Sequence, residues 1–317
     1  MKKVIIAISI IASLVACKKK KDDNPSPAPV PVVENPSTGG NNSNCQAKSI
    51  LETKGSSVSN VSVTYNGFIP ATIKVDSNGT PKINLVLDNK GSIKSGTIPV
   101  PMNGTNYSVD FNSTNTYNVN GLLAKAVFVS TNIPIATATI TNVYTYDNNA
   151  NLILLIRTTD ISGLINQNSK DSILFTGYTN GRPLMSSKFS KDGSNPYTKV
   201  YDEAYEYDSK MNRTKVTRDG ILMEENTFSA EVYPSKVSYL LNLEGNQNYG
   251  NKDQDVNFEQ KTKTYKQCGA TNVADISDVK SFLKSGSCIT GVALNDTVGA
   301  CNSSAATYGS STYAITY

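Results

Sequence analysis

The chain is 317 residues long, with 30 Lys and Arg against 26 Asp and Glu, and it contains neither His nor Trp. So balanced a charge excludes a nucleic-acid partner held by bulk electrostatics. The lack of His excludes Ser-His-Asp and Cys-His catalysis and any imidazole metal ligand. Tyr, at 17 residues, accompanies frequent Asn, Thr and Ser, a composition that suits exported β-proteins.

In chain order, Met1-Lys2-Lys3 supplies a basic start, and Val4 to Ala16 is apolar except for Ser9 and Ser13. That is a charged n-region and an apolar h-region, too short to span a bilayer. It ends in Leu14-Val15-Ala16-Cys17, which resembles the lipobox of bacterial lipoproteins. The resemblance implies that residues 1–16 are a signal peptide cleaved after Ala16. Cys17 then carries acyl chains (palmitate among them) and tethers the mature protein to a membrane. No second apolar run approaches the roughly 18 residues of a membrane helix.

Residues 17–44 read as a spacer. Lys18 to Lys21 form a basic block followed by Asp22-Asp23, and five of the 13 prolines fall between Pro25 and Pro36. No apolar face exists here to offset the entropy of ordering. The basic block beside the lipid either meets anionic headgroups or is simply solvated. Charged residues just after the lipid cysteine also resemble surface-export signals of Bacteroidetes lipoproteins, which implies the outer membrane, at the cell surface rather than the periplasmic face.

Residues 45–317 form the β-rich domain, with a grammar of strands and tight turns. Val61, Val63 and Tyr65 alternate with Ser62 and Thr64, Asn66-Gly67 turns the chain, and Ile69, Ala71, Ile73 and Val75 alternate on the way back. Asn-Gly accepts the positive φ angles of a type I′ turn, whose twist matches its flanking strands. Asn78-Gly79, Asn103-Gly104, Asn120-Gly121, Asn180-Gly181, Asp192-Gly193 and Asp219-Gly220 repeat that punctuation. The expectation is an all-β fold, an antiparallel meander of β-hairpins forming an extended or curved sheet.

Two segments align without a gap. Tyr144-Thr145-Tyr146-Asp147-Asn148-Asn149-Ala150-Asn151-Leu152 matches Tyr205-Glu206-Tyr207-Asp208-Ser209-Lys210-Met211-Asn212-Arg213, and Tyr178-Thr179-Asn180-Gly181 is a looser copy. They resemble the tyrosine-aspartate (YD, or Rhs-type) repeat found in Bacteroidetes surface lipoproteins, with Ala150 and Met211 where the repeat has Gly. The resemblance implies an architecture of repeated hairpins and no particular activity.

One short C-terminal helix is expected over Asp275 to Lys284, where Ile276, Val279 and Leu283 recur at helical spacing with Phe282 beside them and Gly286 as the stop. Cys45, Cys268, Cys288 and Cys301 are an even number in an exported chain, hence candidates for two disulfides. Three pairings are open, and the reading favours Cys288–Cys301 with Cys45–Cys268.

Asp202, Glu203, Glu206 and Asp208 crowd one strand, with Glu224 and Glu225 nearby. Alternation puts Asp202, Glu206 and Asp208 on one face and Glu203 with Tyr201, Tyr205 and Tyr207 on the other. A carboxylate-based hydrolase would need two facing acids, whereas a solvated strand face needs nothing further. Asn251, Asp253 and Asp255 lack the Gly and terminal Glu of a calcium loop, so no metal or cofactor is assigned. Asp171-Ser172-Ile173 and Asp296-Thr297-Val298 look like Bacteroidetes O-glycosylation acceptors at Ser172 and Thr297. The leading reading is a non-enzymatic, lipid-anchored cell-envelope protein with a structural or interaction role. Its partners are the membrane through Cys17 and either a glycan or another envelope protein. The alternatives are a carbohydrate-binding surface module, in which exposed Tyr would stack on sugar rings, and the hydrolase.

Overall fold

The computed structural model describes residues 47–317 except 55, 68, 79, 103–104, 131, 133–135, 164–165, 233–256, 269–270, 286–287 and 300–306. The signal peptide, the spacer, Cys17, Cys45, Cys301 and the Asn251/Asp253/Asp255 group all lie outside the described residues.

Eighteen strands follow one another. The first nine are β1 (Ser49–Lys54), β2 (Ser57–Asn66), β3 (Ile69–Ser77), β4 (Thr80–Leu87), β5 (Ile93–Met102), β6 (Thr105–Tyr117), β7 (Leu123–Ser130), β8 (Ala136–Tyr146) and β9 (Leu152–Gly163). The second nine are β10 (Gln167–Thr179), β11 (Arg182–Asp192), β12 (Thr198–Tyr207), β13 (Arg213–Arg218), β14 (Ile221–Val232), β15 (Asn257–Cys268), β16 (Thr271–Ser285), β17 (Cys288–Val298) and β18 (Thr307–Thr316). Each pairs antiparallel with the next, and β18 pairs with β1 from Ser49↔Thr316 to Lys54↔Ser311. Tyr313 donates to Glu52 Oε1 across that seam at 2.9 Å.

The sheet is therefore a closed barrel, which corrects the expectation of an open or curved meander. Closure leaves no strand edge to template aggregation. All seven Asn-Gly and Asp-Gly dipeptides fall where one strand ends and the next begins. Hairpin grammar is the same in an open sheet and a closed one; pairing of the first strand with the last decides between them.

The expected helix is also corrected, since Asp275 to Lys284 lies within β16. A bulge between Val279 and Ser281 opposes β17, so Val279 meets Leu294 and Phe282 meets Val292. Those two therefore pack on the core while three residues apart, and Leu283 stands outside. One extra residue in a strand thus imitates the i, i+3 step of a helix.

Even strand number returns the start of β1 and the end of β18 to one rim. The near rim carries the start of β1, the end of β18 and every even-to-odd connection; the far rim carries the odd-to-even ones. Among the described residues nothing covers the convex face of this single-layer barrel, so its buried residues line the interior. These include Ile50, Ile73, Leu85, Ile93, Val109, Phe111 and Phe128, joined in one apolar core drawn from β1 to β10 with β17 and β18. Gly96 lies in that wall, where a Cβ would sit 2.9 Å from the Phe111 ring.

A round 18-stranded barrel encloses an aqueous channel. Inner residues as shut off as Ile73 and Leu85, both at 0% exposure, mean that this interior is filled along those strands. The outer face is mostly polar, apart from a patch over β8 to β11 that includes Val143, Leu174 and Met185. In β8, inward Ala138, Ile140, Asn142 and Tyr144 alternate with outward Thr137, Thr139, Thr141, Val143 and Thr145. Lys74, Asp110, Lys125 and Asp160 point outward elsewhere.

Candidate functional site

The near rim is built from one turn used four times. At Asp147 the carboxylate accepts from the backbone N–H of Asn149 and Asn151 and from the Asn151 side chain, at 2.8–2.9 Å. Asp208 does the same with Lys210 and Asn212. Asp88 repeats it with Lys90 and Ser92, and Asn118 with Asn120 and Leu122. The fourth residue of each turn takes positive φ: Gly91 at 81°, Gly121 at 75°, Ala150 at 64° and Met211 at 67°. The first two copies escape a search for Tyr-Asp, because Leu87 replaces the Tyr in one and Asn118 the Asp in the other. Tyr178-Thr179-Asn180-Gly181 is a plain two-residue turn instead, with both Asn180 and Gly181 at positive φ.

Tyrosines lock the rim. The phenols of Tyr65, Tyr146, Tyr207 and Tyr317 donate to the carbonyls of Ala47, Leu123, Pro183 and Ile289 at 2.6–2.9 Å, and that of Tyr178 donates to Leu152. Each reaches from the end of an even strand to the start of the odd strand before it. A bulge at Thr64/Tyr65, Thr116/Tyr117, Thr145/Tyr146 and Glu206/Tyr207 sets the ring's aim. Burial raises the Tyr65 and Tyr317 phenols to about 12, so they remain donors across the physiological range. Tyr117 instead donates to Asp88 Oδ2 at 2.5 Å. Burial opposes ionisation of Asp88, but hydrogen bonds from Tyr117, Asn115 and the backbone N–H of Ser92 and Lys90 outweigh it and hold the carboxyl below its usual range.

The inner wall changes character from β11 to β14. Tyr201, Glu203, Tyr205 and Tyr207 point inward from β12, as strand alternation predicts. Glu203 Oε1 accepts from Arg218 Nε at 3.0 Å and Nη2 at 2.7 Å, and its Oε2 accepts from Tyr205 at 2.8 Å. The Tyr205 hydroxyl also lies 2.7 Å from Ser186 Oγ. Burial, then the charge of Glu203, pushes the Tyr205 phenol far above its usual range.

Arg213, at 0% exposure, pairs with Glu224 at 2% through a 3.2 Å contact. Asn226 Nδ2 bridges Glu224 Oε1 at 2.6 Å and the Arg213 carbonyl at 3.0 Å. Guanidinium groups stack on the same tyrosines: Arg218 lies 4.2 Å from the Tyr201 ring centre, Arg182 5.6 Å from Tyr207 and Arg213 6.0 Å from Tyr205. The sequence marked the acids and the rings but gave no sign that arginines on neighbouring strands would reach them.

This arrangement places the six crowded acids on both sides of the wall. Asp202 faces out, held below its usual range by Lys199 and then Ser187. Glu206 faces out to Lys215 at 3.0 Å, and Glu225 to Tyr265 at 2.6 Å. Asp208 closes its turn, while Glu203 and Glu224 face in with their oxygens already occupied. The three β12 tyrosines line the inner wall and so form no outward platform for sugar rings.

Of the remaining candidates, Ser172 lies outward on β10 between Ile156 and Phe189. It sits in an outer apolar patch of Val143, Leu154, Ile156, Leu174 and Met185. Thr297 lies outward on β17, partly exposed. Cys268 ends β15. Cys288 opens β17 and is disulfide-bonded, with its partner outside the described side chains.

No family model matches the chain, and no curated protein matches it. Among solved structures it is similar to a porin-like protein from Bacteroides uniformis, with a TM-score of 0.44 and 9% identity, over 85% of this chain and 96% of that one.

Proposed function

We propose that the chain is a lipid-anchored protein of the outer membrane: a water-facing barrel held through Cys17, with a structural or interaction role and no chemistry of its own. One observation carries this reading, the polarity of the barrel. A barrel that spans a membrane needs an outward apolar band about 25 Å tall and a polar interior. Here apolar side chains face in along β1 to β10 with β17 and β18, and outside the one patch around Ser172 threonine, lysine and aspartate dominate the outer face. Such a wall loses by entering lipid, so attachment has to come from elsewhere, and the lipobox at Cys17 supplies it. Two or more acyl chains give stable anchoring where one is marginal.

Fractionation tests the reading. The parent should resist an alkaline carbonate wash and incorporate an alkyne-labelled palmitate, while Cys17→Ala should take up no label and pass to the soluble fraction when expressed behind a cleavable secretory signal. Retention of that variant in washed membranes would sink the anchor. Discrete conductance steps when the purified protein is added to planar bilayers would overturn the water-facing barrel.

A further inference from the structure

We infer that the barrel lies with its near rim against an anionic lipid surface, a second contact beyond the acyl anchor. This rests on the anchored reading above and adds an orientation and a headgroup chemistry. Three observations meet at that rim. The first is topological, because Ala47 joins β1 at the near rim and an anchor at Cys17 pulls on that end.

The second is charge. Lys48, Lys90, Lys94, Lys210 and Lys284 stand exposed at the near rim, spread around it from β1 to β16. Among the described residues there, Asp88, Asp147 and Asp208 set three carboxylates against the five lysines, their oxygens accepting the hydrogen bonds of their own turns. Glu206 is offset by Lys215. The far rim has the opposite balance. Asp110, Asp160, Asp192 and Asp219 are exposed toward it, whereas Lys54, Lys199 and Lys266 are paired with Asp296, Asp202 and Asp275, leaving Lys74 as an exposed base. An anionic surface attracts one rim and repels the other.

The third is Val119, fully exposed at 101% on the tip of the turn between β6 and β7. An aliphatic side chain held out past a ring of lysines is suited to the headgroup boundary, where its apolar surface leaves water. The tyrosine locks make the rim stiff enough to present these groups together.

The absence of tryptophan makes the test clean. The acylated full-length protein carrying Val119→Trp (near rim) or Tyr197→Trp (far rim) is reconstituted from outside into vesicles of phosphatidylcholine with phosphatidylglycerol and brominated acyl chains. The bromolipid should quench the near-rim tryptophan and leave the far-rim one unchanged, and the difference should shrink in pure phosphatidylcholine or high salt. Adding Lys90→Gln and Lys210→Gln should weaken docking about 25-fold, roughly fivefold for each lysine removed from an anionic surface. Flotation with the vesicles should persist in that variant through the acyl chains. Flotation without near-rim quenching, or equal quenching at both rims, overturns the docking while leaving the anchor intact. Failure of the parent to float overturns both.

Discussion

Ala150 and Met211 hold the same left-handed corner, at φ 64° and 67°, in turns whose other hydrogen bonds coincide. Gly91 and Gly121 occupy that corner in the two sister turns. A left-handed corner costs an L-residue about 1–2 kcal/mol, part of which glycine gives back through its freedom in the unfolded chain. Ala150→Gly is expected to stabilise the barrel by about 0.5–1 kcal/mol, read as a higher urea midpoint.

Met211→Gly should go the other way. Met211 is 8% exposed, and its sulfur accepts from Asn180 Nδ2 at 3.4 Å. Removing a buried methionine side chain forfeits about 2–5 kcal/mol, more than relief of the corner returns. The two variants should therefore shift the urea midpoint in opposite directions. Equal shifts would mean that backbone strain alone sets the effect and that the burial of Met211 adds nothing.

These turns show how far the sequence could be read. The gapless match of Asp147 with Asp208 located two identical turns, and strand alternation put Glu203 on the side of Tyr201, Tyr205 and Tyr207. The Asp88 and Asn118 turns escaped because one residue differs in each; an acidic or amide residue with glycine three positions on would have found both. Barrel closure depends on Ile50 meeting Ile315, a pairing that no local pattern encodes. The bulge near Val279 disguised a strand as a helix. Arg182, Arg213 and Arg218 gave no signal, since a strand's pattern reveals its face but not its partners on the neighbouring strand.

Asp88 gives the barrel a pH dependence. Its folded carboxyl lies below the usual value, so its contribution is present above the unfolded carboxylate pKa and disappears as pH falls through the folded one. Asp88→Asn should therefore be less stable than the parent at neutral pH, and the gap should close below about pH 4. Thermal midpoints at intervals from pH 7 to pH 2 check this. A gap that stays constant across the range would show that the carboxylate's charge contributes nothing there.

Tyr205 is the most enclosed of the described tyrosines, at 4% exposure, and its hydroxyl serves both Glu203 and Ser186. Tyr205→Ala should cost about 3–5 kcal/mol as a buried aromatic lost. Tyr205→Phe should cost about 1–3 kcal/mol, because it keeps the ring and deprives a buried carboxylate of a donor. Tyr207→Phe, which loses one bond to a backbone carbonyl, should cost about 1 kcal/mol. Denaturant curves with a common slope would rank the three. Near-neutral behaviour of Tyr205→Ala would mean the ring is not part of the folded wall.

The Arg213–Glu224 pair separates charge from packing in that wall. Both side chains are almost wholly buried, and both belong to a wider network through Asn226. Removing one partner leaves an uncompensated buried charge, so Arg213→Met or Glu224→Leu alone should cost about 3–5 kcal/mol. The double variant Arg213→Met/Glu224→Leu replaces both charges with apolar groups and lets the polar wall join the adjoining apolar core. It should recover most of that loss, because the desolvation of two ions is no longer required. Asn226 would then lack its carboxylate partner, which keeps the recovery incomplete. A double-mutant cycle from urea unfolding measures the coupling. Additive losses in the double variant would show that the two charges are stabilised by other groups and not by each other.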